Sequence, residues 1–285
     1  MKFAVNALIW TTDFDSKSYA LLPSIREHGF DGFEVPVFQP ARVDSASIRR
    51  ELAANSLACT VCSLLPAGIS LIDLDAQVRQ KARSHLADCV KVTADLGSNI
   101  MAGPLYAPVG YLPGRRRTRE EWNWAVEGFQ SLGETLQANG VTLALEPLNR
   151  FETFFLNTAA DAARLCEEID HPHVGVLLDT FHTNIEEKVV ANAFRSLGKR
   201  LKHVHACEND RGIPGTGHVD FRGIAAALRD VGYDEWVTIE SFGFAHKELA
   251  AAAAIWRDLA PTPESIPFEG IQFLRSVMGR ARTGD

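Results

Sequence analysis

Eight short runs rich in apolar and β-branched residues recur along the chain, and no other feature narrows the possible folds as much. They fall at residues 3–9, 32–36, 58–64, 99–103, 141–146, 173–179, 201–205 and 236–240, a repeat of roughly 25 to 45 residues that matches successive strand–helix units. The segments VTLALE, VGVLLD and WVTIE are almost continuously apolar, as parallel strands covered on both faces must be. Helical spacing of apolar residues marks 75–94 and 119–138, the second opened by Thr118 as an N-cap ahead of Glu120 and Glu121. Further helices are expected at 159–169, 189–197, 221–231 and 247–258, and a last one at 269–278, after the proline-containing stretch 261–267. Gly97, Gly140 and Gly232 stand where helices should stop. No low-complexity linker interrupts the pattern. The expectation is an α/β fold: a single (β/α)₈ TIM barrel domain over residues 1–285, with a parallel eight-stranded core and an extra C-terminal helix.

A doubly wound open sheet would show the same alternation, but it calls for a glycine-rich phosphate loop after the first strand. That position reads IWTTDFD, without a glycine, and the later Gly215-Thr216-Gly217 reads as a turn at the barrel rim. At 285 residues and 46% hydrophobic content the chain can bury a large core unaided, so a metal is free to serve chemistry rather than folding. A net charge of -7 argues against a nucleic-acid partner. The run Arg115, Arg116 and Arg117 is read as a solvated loop near the barrel mouth or a subunit contact, with phosphate binding as the alternative. Five scattered cysteines do not form a disulfide framework and suit a reducing cytoplasm. Cys59 and Cys62 make a C-x-x-C, but on a strand they point to opposite faces and do not converge. The opening MKFAVNALIWTTDFD does not read as a signal peptide, and no apolar run approaches the roughly 20 residues needed to span a bilayer, so a cytoplasmic protein without a membrane partner is expected.

Four metal-capable residues end consecutive strands: Glu146, Asp179, His205 and Glu240, set 33, 26 and 35 residues apart, one strand–helix unit each. Side chains at the C-terminal ends of barrel strands share one mouth, where barrel active sites lie. A carboxylate ending an apolar strand is expensive to bury unless it is paired or metal-bound. Three carboxylates and one imidazole, without a thiolate, suit one divalent cation, Mn²⁺ first and Co²⁺ or Mg²⁺ as alternatives. Beyond these ends, Glu152, His182 and Arg211 are placed on loops above the metal, in reach of sugar hydroxyls. Asn149 and Arg150 are candidate braces for the ligating carboxylates. His203 is read as structural, deeper in the barrel, and Trp10, Tyr106 and Phe242 as candidates for an apolar pocket wall.

The segments LALEPLNRFE, LLDTFHTNIEE, HVHACENDRGIPGTGHVDF and TIESF closely resemble the D-tagatose 3-epimerase and D-allulose 3-epimerase family, within the sugar phosphate isomerase/epimerase-like barrels. The resemblance extends over most of the chain and is strongest from about residue 141 to 243. It implies metal ligation by Glu146, Asp179, His205 and Glu240, and substrate contacts from Glu152, His182 and Arg211. It further implies a homodimer or homotetramer acting on a small free ketose. On that basis Glu146 and Glu240 are the catalytic pair, exchanging the C3 proton across the two faces of an enediolate. The segments NALIWTTDF and GPLYAPVGYLPGRRR depart from the family pattern, and the resemblance implies that the loops there close over the sugar. Two other activities fit the same barrel: an aldose–ketose isomerase, and a metal-dependent dehydratase or lyase of keto-sugars. A non-catalytic sugar-binding protein and an endonuclease IV-type enzyme fit less well. The latter needs more histidine ligands and a basic groove.

Overall fold

In a computed structural model that describes residues 1–243 and 247–279, the eight runs form strands β1 (Lys2–Asn6), β2 (Gly32–Pro36), β3 (Ala58–Cys62), β4 (Ile100–Gly103), β5 (Thr142–Leu145), β6 (Val174–Asp179), β7 (Leu201–Ala206) and β8 (Trp236–Ile239). Each pairs in parallel with the next, and β1 closes on β8 from Lys2↔Trp236 to Val5↔Ile239, giving the expected closed barrel. Around it run α1 (Leu22–Glu27), α2 (Ser45–Ala54), α3 (Ala76–Asp95), α4 (Arg119–Gln130), α5 (Gly133–Asn139), α6 (Ala159–Ile169), α7 (Thr180–Glu186), α8 (Val190–Leu197), α9 (Phe221–Asp230), α10 (Lys247–Ala252) and α11 (Ser265–Met278).

Strand alternation sorts the side chains into two sets. Phe3, Val5, Phe33, Val35, Leu143 and Val237 belong to the main core cluster between sheet and helices. The alternate residues fill the barrel. Ala4, Ile100, Ala102, Ala144, Leu177 and Trp236 form a small apolar floor, and two positions beyond Ala4, Ala144, Leu177 and Trp236 come the polar Asn6, Glu146, Asp179 and Thr238. Gly32 makes room for this floor, because a Cβ there would stand 2.7 Å from the Trp236 ring. A polar layer inside a barrel costs several kcal/mol unless its members satisfy one another, which places the chemistry above the floor.

The helices depart from expectation in instructive ways. The single helix expected at 119–138 is two, α4 and α5, because the chain turns at Ser131 and Leu132. Thr118 does cap α4, in a full capping box with Glu121. α11 starts at Ser265, earlier than expected, because Pro267 lies in its first turn, where a missing N–H leaves no bond unmade. The helix expected at 247–258 stops at Ala252. α7 follows β6 without a loop, since Asp179 ends the strand and caps the helix by accepting from the Phe181 backbone N–H.

Gly103, at the mouth end of β4, has φ +137°, and an added Cβ would lie 2.1 Å from the Ser63 carbonyl oxygen. Both the dihedral and the backbone approach demand glycine. Gly103→Ala is expected to destabilise the fold by roughly 2–3 kcal/mol, read as a lower urea midpoint at unchanged slope.

Candidate metal centre

The C-terminal ends of β5 to β8 bring Glu146, Asp179, His205 and Glu240 together, each offering one ligand atom within 4.8 Å of all the others. The register makes this possible, since Asp179 pairs with His205 and His205 with Thr238, two residues before Glu240. All four are at least nine-tenths buried. Arg211 ties two of them, donating from Nη1 to Asp179 Oδ2 at 3.1 Å and to Glu240 Oε2 at 3.0 Å. Its guanidinium lies between the Phe181 and Phe242 rings, with centroids at 4.1 and 4.6 Å. Arg211 itself has φ +65°, a costly backbone for a residue with a Cβ and one that surrounding contacts must hold in place. His182 accepts at Nδ1 from the Asn149 backbone N–H (3.2 Å), and its Nε2 stands 3.3 Å from Arg211 Nη2, 3.7 Å from Glu146 Oε1 and 3.8 Å from Asp179 Oδ2.

The charges do not balance within the protein. Three buried carboxylates, with Glu34 a fourth on the far side of His205, share one permanent cation, Arg211. Burial, reinforced by the Glu240 charge, pushes Glu146 well above the usual carboxylate range. Asp179 is pushed up to about 6 by burial, against the pull of Arg211. Glu240 is held below its ordinary value, because His205 and Arg211 outweigh its burial. Burial disfavours the charged form of His205, but Glu240 and Glu34 overcome it and raise its pKa well above the usual value. Glu146 Oε1 and His205 Nδ1 are buried without a hydrogen bond. His205 Nδ1 lies 3.3 Å from Glu240 Oε1 without the alignment of one. Unpartnered buried donor atoms, hard oxygens, one imidazole and surplus negative charge together fit a divalent cation.

Of the expected substrate contacts, Glu152, His182 and Arg211 all line the cavity above this cluster, as do Ser63 and Phe242. The cavity encloses about 120 Å³, well below the roughly 300–1,000 Å³ of drug-sized sites, which restricts the occupant to a small molecule. Three expectations need correction. His182 sits on α7 rather than on a loop. Arg150 braces none of the four; it pairs with Glu186 at 2.9 Å on the surface, while Asn149 holds Glu152 at 2.8 Å and His182. Of the three expected aromatics, Phe242 lines the cavity, beside Phe38; Tyr106 packs on Phe155 and donates to the Glu146 carbonyl, and Trp10 donates to Glu264. Cys59 packs in the outer core and Cys62 faces the cavity, so the pair diverges; all five cysteines are free.

Sequence reasoning passed over Glu34, wholly buried in β2, which accepts from Asn6, Thr60 and His205 and lies 2.7 Å from His203 Nε2. The signal was present: an acid in the middle of the apolar run GFEVP demands partners when buried.

A closed parallel barrel with this carboxylate–imidazole cluster at its C-terminal mouth defines a class, and residues 22–276 match the Xylose isomerase-like TIM barrel family. Within that class the chain belongs to the ketose 3-epimerases. It is 36% identical to a probable ketose 3-epimerase of Synechocystis over 97% of this chain and 96% of that protein. It is 34% identical to an L-ribulose 3-epimerase of Mesorhizobium japonicum, over 90% of this chain and 88% of the relative. A crystal structure of D-allulose 3-epimerase from Methylomonas sp. in complex with D-allulose superposes with a TM-score of 0.92 at 28% identity, covering 97% of each chain.

Proposed function

We propose that this protein inverts C3 of a free ketose of the D-tagatose, D-fructose, D-allulose or L-ribulose type. The observation that carries the proposal is the convergence of two buried carboxylates, Glu146 and Glu240, from β5 and β8 across one small cavity, with Asp179 and His205 between them. The family membership supports the same reading. A divalent cation held by Glu146, Asp179, His205 and Glu240, Mn²⁺ by preference, would supply Lewis-acid stabilisation of the negative charge that develops on substrate oxygen as the C3 proton leaves. In this reading one carboxylate removes the C3 proton and the other, in its acid form, returns a proton to the opposite face of the enediolate. His182 presents Nε2, Arg211 its guanidinium, and Glu152 an acceptor to the sugar hydroxyls. Asn149 fixes both Glu152 and His182, so these contacts are set before substrate arrives.

The arginine run speaks for an unphosphorylated sugar. Arg115 is paired with Glu121 at 2.6 Å, and Arg117 with Asp161 at 3.0 Å and over the Trp122 ring. Arg211, the arginine that lines the cavity, is already held by two carboxylates. The described residues contain no helix long and apolar enough to cross a membrane, and the five free thiols support a cytoplasmic setting. A homodimer or homotetramer is proposed from the family membership, with the exposed Phe151 and Trp256 as candidate contacts.

The experiment is to incubate D-fructose, D-allulose, D-tagatose and L-ribulose with Mn²⁺-loaded protein and separate the products. Conversion within C3-epimer pairs is expected. Formation of an aldose would make it an isomerase, loss of water a dehydratase, and turnover confined to sugar phosphates would remove the free-ketose assignment.

A further inference from the structure

Glu34 accepts three hydrogen bonds and stands within ion-pair distance of a fourth group. Oε1 accepts from Asn6 Nδ2 at 2.9 Å and from His205 Nε2 at 2.8 Å. Oε2 accepts from Thr60 Oγ1 at 2.9 Å and is 2.7 Å from His203 Nε2. A carboxylate offers about four lone-pair positions; three are filled, and His203 Nε2 stands close over Oε2. Glu34, His203 and His205 also lie close enough together to hold an ion of their own. Both oxygens of Glu34 already face donors, however, and the arrangement serves another purpose.

We propose that Glu34 is a positioning residue that fixes the tautomer and ring orientation of His205, so that Nδ1 and not Nε2 faces the cation. The proposal rests on the reading of the four-residue cluster as a metal centre. An imidazole that gives its Nε2–H to a carboxylate has only Nδ1 to offer a metal, and the carboxylate makes that nitrogen a better ligand. His205 Nδ1 is the atom found buried, without a hydrogen bond and facing Glu240. The brace reaches a second ligand through Asn6. Asn6 Nδ2 also lies 3.4 Å from Glu240 Oε1, and Asn6 Oδ1 is pinned by the Leu8 backbone N–H. His203, held at Nε2 also by Thr238 Oγ1 at 3.2 Å, keeps the Glu34 carboxylate from rotating. Residues of β1, β2, β3, β7 and β8 thus form one layer between the apolar floor and the ligands.

Glu34→Gln keeps the size but exchanges one acceptor for a donor, so the side chain can no longer accept at both positions. EDTA-treated wild type and variant would be titrated with Mn²⁺, free Mn²⁺ being followed by electron paramagnetic resonance, and the metal-free proteins melted in parallel. The expected result is a Kd weakened roughly 10–100-fold. A purely structural role would lower the Tm and leave the Kd of the folded protein alone, and that outcome overturns the proposal. Should the variant not fold, wild type loaded with Mg²⁺ or Zn²⁺ and labelled with ¹⁵N-histidine gives the answer. His205 protonated at Nε2 supports the proposal, and His205 protonated at Nδ1 overturns it. A wild type that binds no Mn²⁺ removes the metal reading and this proposal with it, whereas a variant that binds as well as wild type removes only this proposal.

Discussion

Glutamine in place of either Glu146 or Glu240 is expected to lower the rate of C3 inversion by roughly 10²–10⁴, the usual contribution of a positioned acid or base. The amide matches the carboxylate in size but cannot take a proton from carbon. Each side chain stands at the end of a barrel strand and is more than nine-tenths buried, so the surrounding backbone has little reason to move. The two variants should not behave alike toward the two epimers of a pair. With one base removed, the remaining carboxylate still faces one side of C3. It can take a proton from one epimer and return it to the same face, so solvent deuterium enters that epimer faster than inversion occurs. The complementary variant should show the same behaviour with the other epimer. Assays at saturating Mn²⁺ separate this effect from weakened ligation. Inversion within tenfold of wild type in both variants would remove Glu146 and Glu240 from the chemistry.

Removal of the divalent cation is expected to abolish turnover and to lower thermal stability together. The ligands converge from β5, β6, β7 and β8, half of the barrel wall. Burial and the neighbouring Glu240 charge already hold Glu146 well above the usual carboxylate range, so the metal-free site is electrostatically strained. A ligand that binds only the folded chain, present at one hundred times its Kd, stabilises it by about 2.7 kcal/mol. For a chain of this size that corresponds to a rise in Tm of about 5 °C. Differential scanning calorimetry with EDTA, and then with Mn²⁺, Co²⁺ or Mg²⁺ restored, measures the shift and ranks the metals. Activity restored without any change in Tm would place the essential ion outside this four-strand cluster.

The barrel was legible because its strands are buried on both faces, so each appears as an apolar run that local sequence reveals. The four strand-end residues were legible for a related reason: a repeating unit carries equivalent positions, and polar groups ending successive apolar strands stand out. Side chains whose meaning depends on distant partners were harder to read. Glu34 contacts Asn6, Thr60, His203 and His205, the last 171 residues away, and nothing near it in sequence announces that. Arg150 sits beside Asn149 but is claimed by Glu186, 36 residues on. α7 escaped notice because Asp179 serves as strand end, helix cap and candidate ligand at once, leaving no loop residues to mark the boundary. The break between α4 and α5 falls at Ser131 and Leu132, where neither residue is a helix breaker.

The measurement to make first is NMR of D-fructose, D-tagatose and L-ribulose incubated in D₂O, with the Mn²⁺-loaded protein and again after EDTA treatment, each mixture freed of metal before the spectrum is taken. Proton abstraction at C3 between Glu146 and Glu240 requires deuterium at C3, growth of the C3 epimer, and loss of both when the metal is stripped. Deuterium at C1 or C2 with an aldose product, or C3 exchange that survives stripping of the metal, would contradict it.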